Sequence, residues 1–420
     1  MTREKKLLAE RIQKNYKKLW NWHLEHARKT PPPFYCSVDL RDSGYKIAPV
    51  DCNLYPAGFN NICPDDMRAA PPIIRAQIAA FSLHHNICTP KKILILPESH
   101  TQNLYYIENL YYLTQLIQKA GFETQIGWYG ETSESVVHLT SETEKKLEAF
   151  PILIKDGLLS TGNFTPDLIL LNNDFSSGYP KRLDGIKQLI LPSHSLGWHS
   201  RKKSEHFKYY NLLAKEFAQI LEIDPWLIEI ETVEVNEVNF NEGLGLDRVI
   251  DTASTMLGQL KEQHKNHGVS QDPYLFIKNN HGTYGMGIMT IHSIEELKTL
   301  NRRTKNKMST GKNKLPIDSV VIQEGIPTAT LVNRMAAEPV IYLFGCELVG
   351  GFLRTNHEKN VEENLNSQGM IFKKLCMSDL KAPDECEESD LPILELVYGS
   401  IARISALATG MELAEHSIPR

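Results

Sequence analysis

The sequence has no excess of positive charge: 46 lysines and arginines stand against 51 aspartates and glutamates, a formal net of -5. That balance removes the general electrostatic reason to expect nucleic acid or an anionic membrane as a partner. No apolar run comes near the roughly 18 residues that a membrane-spanning helix needs. The opening residues, MTREKKLLAERIQKNYKKLWNWH, are charged from the third position and are therefore no secretory signal. The seven cysteines (Cys36, Cys52, Cys63, Cys88, Cys346, Cys376 and Cys386) include no C-x-x-C pair. Their odd number and long spacings predict a reduced, soluble cytoplasmic protein rather than a disulfide framework or a zinc site. Internal repeats and low-complexity segments are also missing.

What is present is ordinary in bulk and specific in detail. The 420 residues suffice for two or three domains, and 41% apolar with 23% charged residues is usual for a globular chain. Leu8, Ile12, Tyr16 and Leu19 recur at helical spacing and predict an amphipathic helix that packs on the body with its lysines in solvent. A break falls near residues 64–90, after an irregular stretch rich in proline, glycine and asparagine. Beyond it KKILILPESH, FETQIGWY, PDLILLNNDFSSG and IKQLILPSHS read as strands leading into polar loops. NLYYIENLYYLTQLIQKAG reads as the intervening helix, with Gly121 just past its end. The alternation predicts an open, largely parallel sheet over 91–200. From about residue 200 an α+β pattern takes over. It has helices near 204–222 and 246–265, a capped helix at Ser293–Glu296, and a last helix closed by Gly410. Two basic clusters, Arg201-Lys202-Lys203 and Arg302 to Lys307, read as solvated loops or local anion sites. His194, His199 and His206 are spaced by five and seven, which matches no known metal-ligand pattern.

The stretch FIKNNHGTYGMGIMTI (Phe276–Ile291) places Gly282, Gly285 and Gly287 between two strand-like ends. The pattern is not a dinucleotide fingerprint, and no Gly-Lys-Ser/Thr follows to make a Walker loop. It suits a hairpin whose backbone N–H groups close over phosphates, with Lys278 reaching one of them. A plain glycine-softened hairpin is the alternative. Downstream, VVIQEGIP stops at Gln323 and Glu324, acceptors suited to an adenine edge and a ribose. The segment GGFLRTNHEKNVEENLNSQGM then carries Arg354, Glu362, Glu363, Asn364 and Asn366. Two acids with neighbouring amide oxygens are hard ligands of the kind magnesium accepts, and an arginine suits a transition-state anion. Separately, SVDLRDSGYKIAPVDCNLYPAGFNNICP concentrates Asp39, Arg41, Lys46, Asp51, Asn53, Asn60 and Asn61. Arg41 or Lys46 could hold a carboxylate, and Asp39, Asp51 or Asn53 an α-ammonium. A buried structural network is the competing reading.

The order lysine, glycine hairpin, helix, strand ending in an acid, acid–asparagine cluster resembles the ATP-grasp fold. DLRDSGYKIAPVDCNLYPAGFNN, IKNNHGTYGMGIM and ENLNSQGM together resemble a bacterial family of glutamate–cysteine ligases with that architecture, over nearly the whole chain. The second half is also similar to glutathione synthetase. The resemblance implies an α/β and α+β protein in four segments. They are a substrate-motif segment (1–90), a parallel-sheet pre-ATP-grasp domain (91–200), and two α+β subdomains (201–330 and 331–420) that hold ATP. It implies ATP-dependent formation of γ-glutamylcysteine through an acylphosphate, the first step of glutathione synthesis. It also implies Mg2+, and ATP, glutamate and cysteine as substrates. Homo-oligomerisation is left open. By the same likeness Lys278 and Gly282 to Gly287 take the phosphates, Glu324 the adenosine, and Glu362 and Asn364 the metal. The second ATP-grasp lysine is either Lys261 or Lys265, and Glu338, Glu347 and Glu358 compete for the first metal acid. The rivals are another carboxylate–amine ligase such as glutathione synthetase, and a non-catalytic nucleotide-binding sensor.

Overall fold

A computed structural model describes residues 3–84, 86–98, 103–129, 135–175, 178, 180–197, 199–281, 287–310, 316–376 and 395–416. The amphipathic N-terminus forms two helices, α1 (Arg3–Lys14) and α2 (Tyr16–Lys29). Leu8, Ile12 and Leu19 are buried in the largest core, as their spacing predicts. One lysine departs from that pattern, since Lys5 turns inward to Asp42 at 2.5 Å. The polar front stretch, expected to be irregular, is mostly a hairpin of β1 (Tyr35–Asp42) and β2 (Ile47–Asn53). The predicted break is a helix, α3 (Pro64–His84), which continues through Pro71 and Pro72.

The parallel sheet follows as expected: β3 (Lys92–Pro97), α4 (Leu104–Lys119), β4 (Glu123–Trp128), β5 (Val137–Thr140), β6 (Lys146–Pro151), a small hairpin of β7 (Leu153–Lys155) and β8 (Leu158–Ser160), β9 (Leu168–Asn172) and β10 (Leu189–Leu191). Its strand order is β10-β9-β3-β4-β6-β5, parallel except for the edge strand β5.

Next come α5 (Lys203–Leu221), β11 (Thr232–Asn236), α6 (Leu246–Asn266), β12 (Leu275–Asn279), β13 (Ile288–Ile291), α7 (Ile294–Lys298), α8 (Arg302–Ser309) and β14 (Ser319–Glu324). The four strands form an antiparallel sheet in the order β11-β14-β12-β13, and Ser293 and Glu296 make the expected capping box. The chain then adds β15 (Leu331–Val332), β16 (Met335–Phe344), β17 (Glu347–Asn356), β18 (Met370–Leu375) and α9 (Ser400–His416). Gly410 lies inside α9 rather than closing it, because a Cβ there would meet the carbonyl oxygens of Thr30 and Pro31 at 2.6 and 2.7 Å. The glycine serves close packing.

The connection that matters most for function is long-range. β1 pairs antiparallel with β16, giving a six-stranded sheet with the order β18-β17-β16-β1-β2 and β15 at the side. The first and last segments of the chain therefore share one sheet. One sheet face carries Tyr35, Tyr342 and Phe352 into a core with α3 and α4. The other faces α5 and α9 through Val38, Ile341 and Leu343.

Candidate functional site

Alternation along the strands gathers charge at one end of the first face. Asp39 on β1 stands opposite Asp51 on β2, and Glu338 on β16 stands opposite Arg354 on β17. Opposed residues point to the same side of a sheet. Arg354 Nη1 bridges Asp39 Oδ2 at 2.6 Å and Glu338 Oε1 at 2.7 Å, while Arg41 Nε reaches Glu338 Oε2 at 2.7 Å. Arg41 also donates to the carbonyls of Val361 (3.0 Å) and Glu363 (2.7 Å), fastening the β17–β18 connection to the site.

β12 and β13 form the opposite wall. Lys278 is only 7% exposed; its Nζ donates to Gln323 Oε1 at 2.6 Å and to the Val50 carbonyl of β2 at 3.2 Å. At the base Lys203, the first residue of α5, meets Asp51 at 2.5 Å, and its backbone N–H donates to Asn280 at the end of β12. Between the walls lies a cleft lined by Asp39, Arg41, Asp51, Lys203, Lys278 and Arg354, with Glu338, Asn279, Asn364, Asn366 and the apolar Val50, Phe276 and Ile288.

The electrostatics are those of a site waiting for an anion. Burial, reinforced by the Lys203 charge, pulls Lys278 down from its ordinary value to about 7. Burial pushes the Asp39 carboxyl up against the pull of Arg354, with Glu338 adding repulsion. Burial also works against charge on Asp51, but Lys203 outweighs it and the group lies below the usual range. Arg354 is held above its ordinary value because Asp39 and Glu338 overcome burial. Its Nε–H is buried without an acceptor among the described residues. Such unpartnered buried donors are uncommon in folded proteins, where water, an ion or a ligand otherwise completes the bonding.

Among the expected site residues, the cleft brings together Asp39, Arg41, Asp51, Lys278, Arg354 and Asn364, with Gln323 one hydrogen bond behind Lys278. Gly282 and Gly285 lie outside the described residues. Gly287 is described, with φ +62° and no room for a Cβ, which would stand 2.7 Å from Ile317 Cδ1. Lys46 and Glu324, expected to bind substrate and adenosine, are instead each other's partners, 2.6 Å apart and both 2% exposed. Their charges are already matched, as in the structural alternative. Asn53 Oδ1 accepts from the Tyr55 N–H, and Asn60 bonds to Asn61 in a short turn; none of the three lines the cleft. Glu362 is also outside the lining and faces His292 at 3.9 Å.

Lys203 was the principal omission. A lysine in an Arg-Lys-Lys run reads as solvated, yet it is 5% exposed in the cleft, whereas Lys261 and Lys265 are on an exposed face of α6. The available signal was the basic run at the start of a helix, which the sequence also allowed as a local anion site. Of the three acids weighed as the first metal ligand, Glu338 is the one that lines the cleft, opposite Arg354. The donors Asp39, Glu338, Asn364 and Asn366 suit a hard divalent cation. Among the described residues no three acid, histidine or cysteine ligand atoms of the cleft come within 4.8 Å of one another. Mg2+ takes one or two carboxylates and leaves the rest of its shell to phosphates and water.

No curated protein matches the chain. Among solved structures, it is similar to a protein of Methylobacillus flagellatus KT provisionally named a gamma-glutamylcysteine synthetase, with TM-score 0.87 and 33% identity over 97% of this chain and 96% of that one. D-alanyl-alanine synthetase A of Vibrio cholerae O1 biovar eltor (12% identity, TM-score 0.35, covering 76% of this chain and 80% of that one) is too slightly similar to bear on function. The same holds for a glutathione synthetase-like effector of Globodera pallida (11%, 0.36, 88% and 84%). The family comparison is decisive, since the match to glutamate-cysteine ligase runs from residue 9 to residue 413. A cleft of paired acids and buried cations on this fold is thus found in a chain that belongs to the glutamate–cysteine ligase family.

Proposed function

We propose that this ligase joins glutamate to cysteine in the cleft between β12 and the β1–β2–β16–β17 sheet, using ATP through a γ-glutamyl phosphate. The observation carrying this reading is the convergence of Lys278, Lys203, Arg41 and Arg354 on three carboxylates in one buried cleft. Four cations suit a polyphosphate and a substrate carboxylate together, while Asp39 and Asp51 suit an α-ammonium. The sheet β11-β14-β12-β13 and the β16–β18 end of the larger sheet then correspond to the two subdomains of an ATP-grasp arrangement, with 91–200 as the preceding domain.

In this reading Lys278 holds the γ-phosphate, whose charge restores the ammonium that burial disfavours. Arg41 holds the glutamate α-carboxylate. The γ-carboxylate attacks the γ-phosphorus, ADP leaves, and the acyl carbon becomes electrophilic. The cysteine amine then attacks that carbon, and Arg354 Nε–H, with no acceptor among the described residues, donates to the tetrahedral oxyanion. Phosphate departs and the amide remains. Glu338, Asn364 and Asn366 would hold Mg2+, which when bound neutralises charge on the phosphate oxygens. We place this chemistry in the cytoplasm. No helix among the described residues is long and apolar enough to cross a membrane.

The test is ADP release by purified protein with Mg-ATP and glutamate, with and without cysteine, and identification of the product by mass. Cysteine-dependent ADP release with γ-glutamylcysteine as product is expected. Release that depends on another amine and not on cysteine would overturn the substrate assignment.

A further inference from the structure

A second polar cluster lies behind the cleft and takes no part in the reaction above. Arg201 opens a run that reads from the sequence as solvated, yet it is 2% exposed. Its Nε and Nη2 donate to the two oxygens of Glu412 on α9, at 2.7 and 2.9 Å. His206 on α5 meets Glu412 Oε1 through Nδ1 at 2.5 Å and Ser405 Oγ through Nε2 at 3.0 Å. An acid, a histidine and a serine so connected have the order of a nucleophilic triad. Ser405 is completely buried, so no substrate reaches its hydroxyl and the cluster is not a second catalytic centre. Cys52 Sγ, 3.4 Å from Thr409 Oγ1, closes the cluster. It is free, whereas Cys63 and Cys376 are joined by a disulfide, contrary to the expectation of seven reduced cysteines.

The cluster reaches the cleft through the backbone of β2. This strand is an edge of the large sheet and pairs only with β1. Two of its carbonyls accept from cations of other elements, Val50 from Lys278 Nζ at 3.2 Å and Cys52 from Arg201 Nη1 at 2.5 Å. Asp51 is thereby pinned on both sides, and its side chain lines the cleft. Arg201 also stands two residues before Lys203, the partner of Asp51. Burying an arginine, a histidine and a glutamate gains little over apolar side chains of the same shape, whereas a fully bonded network holds its members in one arrangement. Placement is therefore what this cluster supplies beyond an apolar core.

Of the two cleft aspartates suited to an α-ammonium, Asp51 is the more open. Arg354 faces both oxygens of Asp39, at 2.6 and 3.4 Å, and that side chain is 14% exposed. Lys203 engages Oδ1 of Asp51, whose side chain is 33% exposed. We propose that Arg201, fixed by Glu412 and His206, is a positioning residue that holds the Cys52 carbonyl and so aims Asp51 at the α-ammonium of glutamate. This role rests on the glutamate reading above. Arg201 touches no substrate. It acts on one contact, at the amino end of glutamate, and leaves the ATP phosphates and the reacting γ-carboxylate to other residues.

The experiment measures ADP release by the full chain with Mg-ATP and cysteine. It yields KM for L-glutamate and the competitive inhibition constant of glutarate, which is glutamate without its amino group. Neither constant depends on how much of the protein is folded, so a purely structural effect lowers the maximal rate and leaves both unchanged. Asp51→Asn should raise KM for glutamate roughly 10-fold or more, with little change for glutarate. Arg201→Lys keeps the charge but lacks the fork that bonds Glu412 and Cys52 together. It and Glu412→Gln should raise KM for glutamate roughly 3-fold or more, again sparing glutarate and KM for ATP. Unchanged KM for glutamate in these two variants, or equal weakening of glutamate and glutarate, would overturn the proposal. If one of the two does not fold, the other decides. A wild type that does not use glutamate would overturn the proposed function and this role with it, whereas normal wild-type kinetics with unresponsive variants overturn this role alone.

Discussion

Replacing Lys278 by methionine should move stability and activity in opposite directions, and the pH dependence gives the size. The amine titrates near 7 in the folded protein because burial disfavours its charge, against an ordinary value of 10.5. Both folded and unfolded states are charged well below pH 7, so the full cost of burial is present there. The cost shrinks as pH rises from 7 towards 10.5, where both states become neutral. At 1.36 kcal/mol per unit it amounts to about 5 kcal/mol at pH 6 and about 2 kcal/mol at pH 9. Methionine keeps the apolar stem and removes the charge. Whatever is lost with the bonds to Gln323 and Val50 enters at both pH values, so the difference survives. Urea unfolding should show Lys278→Met gaining roughly 3 kcal/mol more on the wild type at pH 6 than at pH 9. The same variant should lose roughly 10²–10³ in kcat/KM for ATP, having lost the charge opposite the transferring phosphoryl group. Near-normal turnover would refute the phosphate role. A stability difference unchanged between pH 6 and pH 9 would refute the buried cation.

Other consequences follow from the same contacts. Arg354→Lys keeps a charge but cannot bridge Asp39 and Glu338 while presenting a further N–H, so turnover should fall roughly 10²-fold or more, with about 3 kcal/mol lost in chemical denaturation. Glu412, bonded to Arg201 at 2.7 Å and His206 at 2.5 Å, is held down at about 2 although burial opposes its charge. Its folded value is depressed, so its contribution is complete above about 4.5 and disappears as pH falls towards 2. Wild type should lose about 3 kcal/mol across that window, and Glu412→Gln should not show the loss in acid unfolding. Glu338→Gln and Asn364→Ala should raise the Mg2+ concentration needed for half-maximal turnover, while Glu362→Gln should leave it unchanged.

Much of this site could be read in the sequence because its chemistry follows chain order. Lys278 enters the glycine hairpin, Arg354 follows near the end of a strong apolar strand, and Asn364 lies in the connection after it. The strands themselves were legible as well, since KKILILP, PDLILLN and EPVIYLF leave little alternative to buried β structure. What could not be read depends on pairings that no local pattern encodes. The β1–β16 ladder joins residues some 300 apart (Tyr35 with Phe344, for instance) and turns a polar front stretch into a wall of the cleft. The same distance hides the Lys46–Glu324 pair, so two residues that cancel each other looked like two separate ligand contacts. Lys203 illustrates the opposite error. Basic runs are usually solvated, and the Asn280 carbonyl and the Asp51 carboxylate, supplied by other elements, help draw this one inside.

The most direct test of the account is the fate of oxygen from glutamate. Purified protein is given Mg-ATP, cysteine and glutamate labelled with ¹⁸O in the γ-carboxylate, and the released phosphate is weighed by mass spectrometry. Attack of the carboxylate on ATP predicts one labelled oxygen transferred to each phosphate as γ-glutamylcysteine forms. Unlabelled phosphate accompanying full peptide synthesis would contradict the acylphosphate, and with it the role assigned to the cleft.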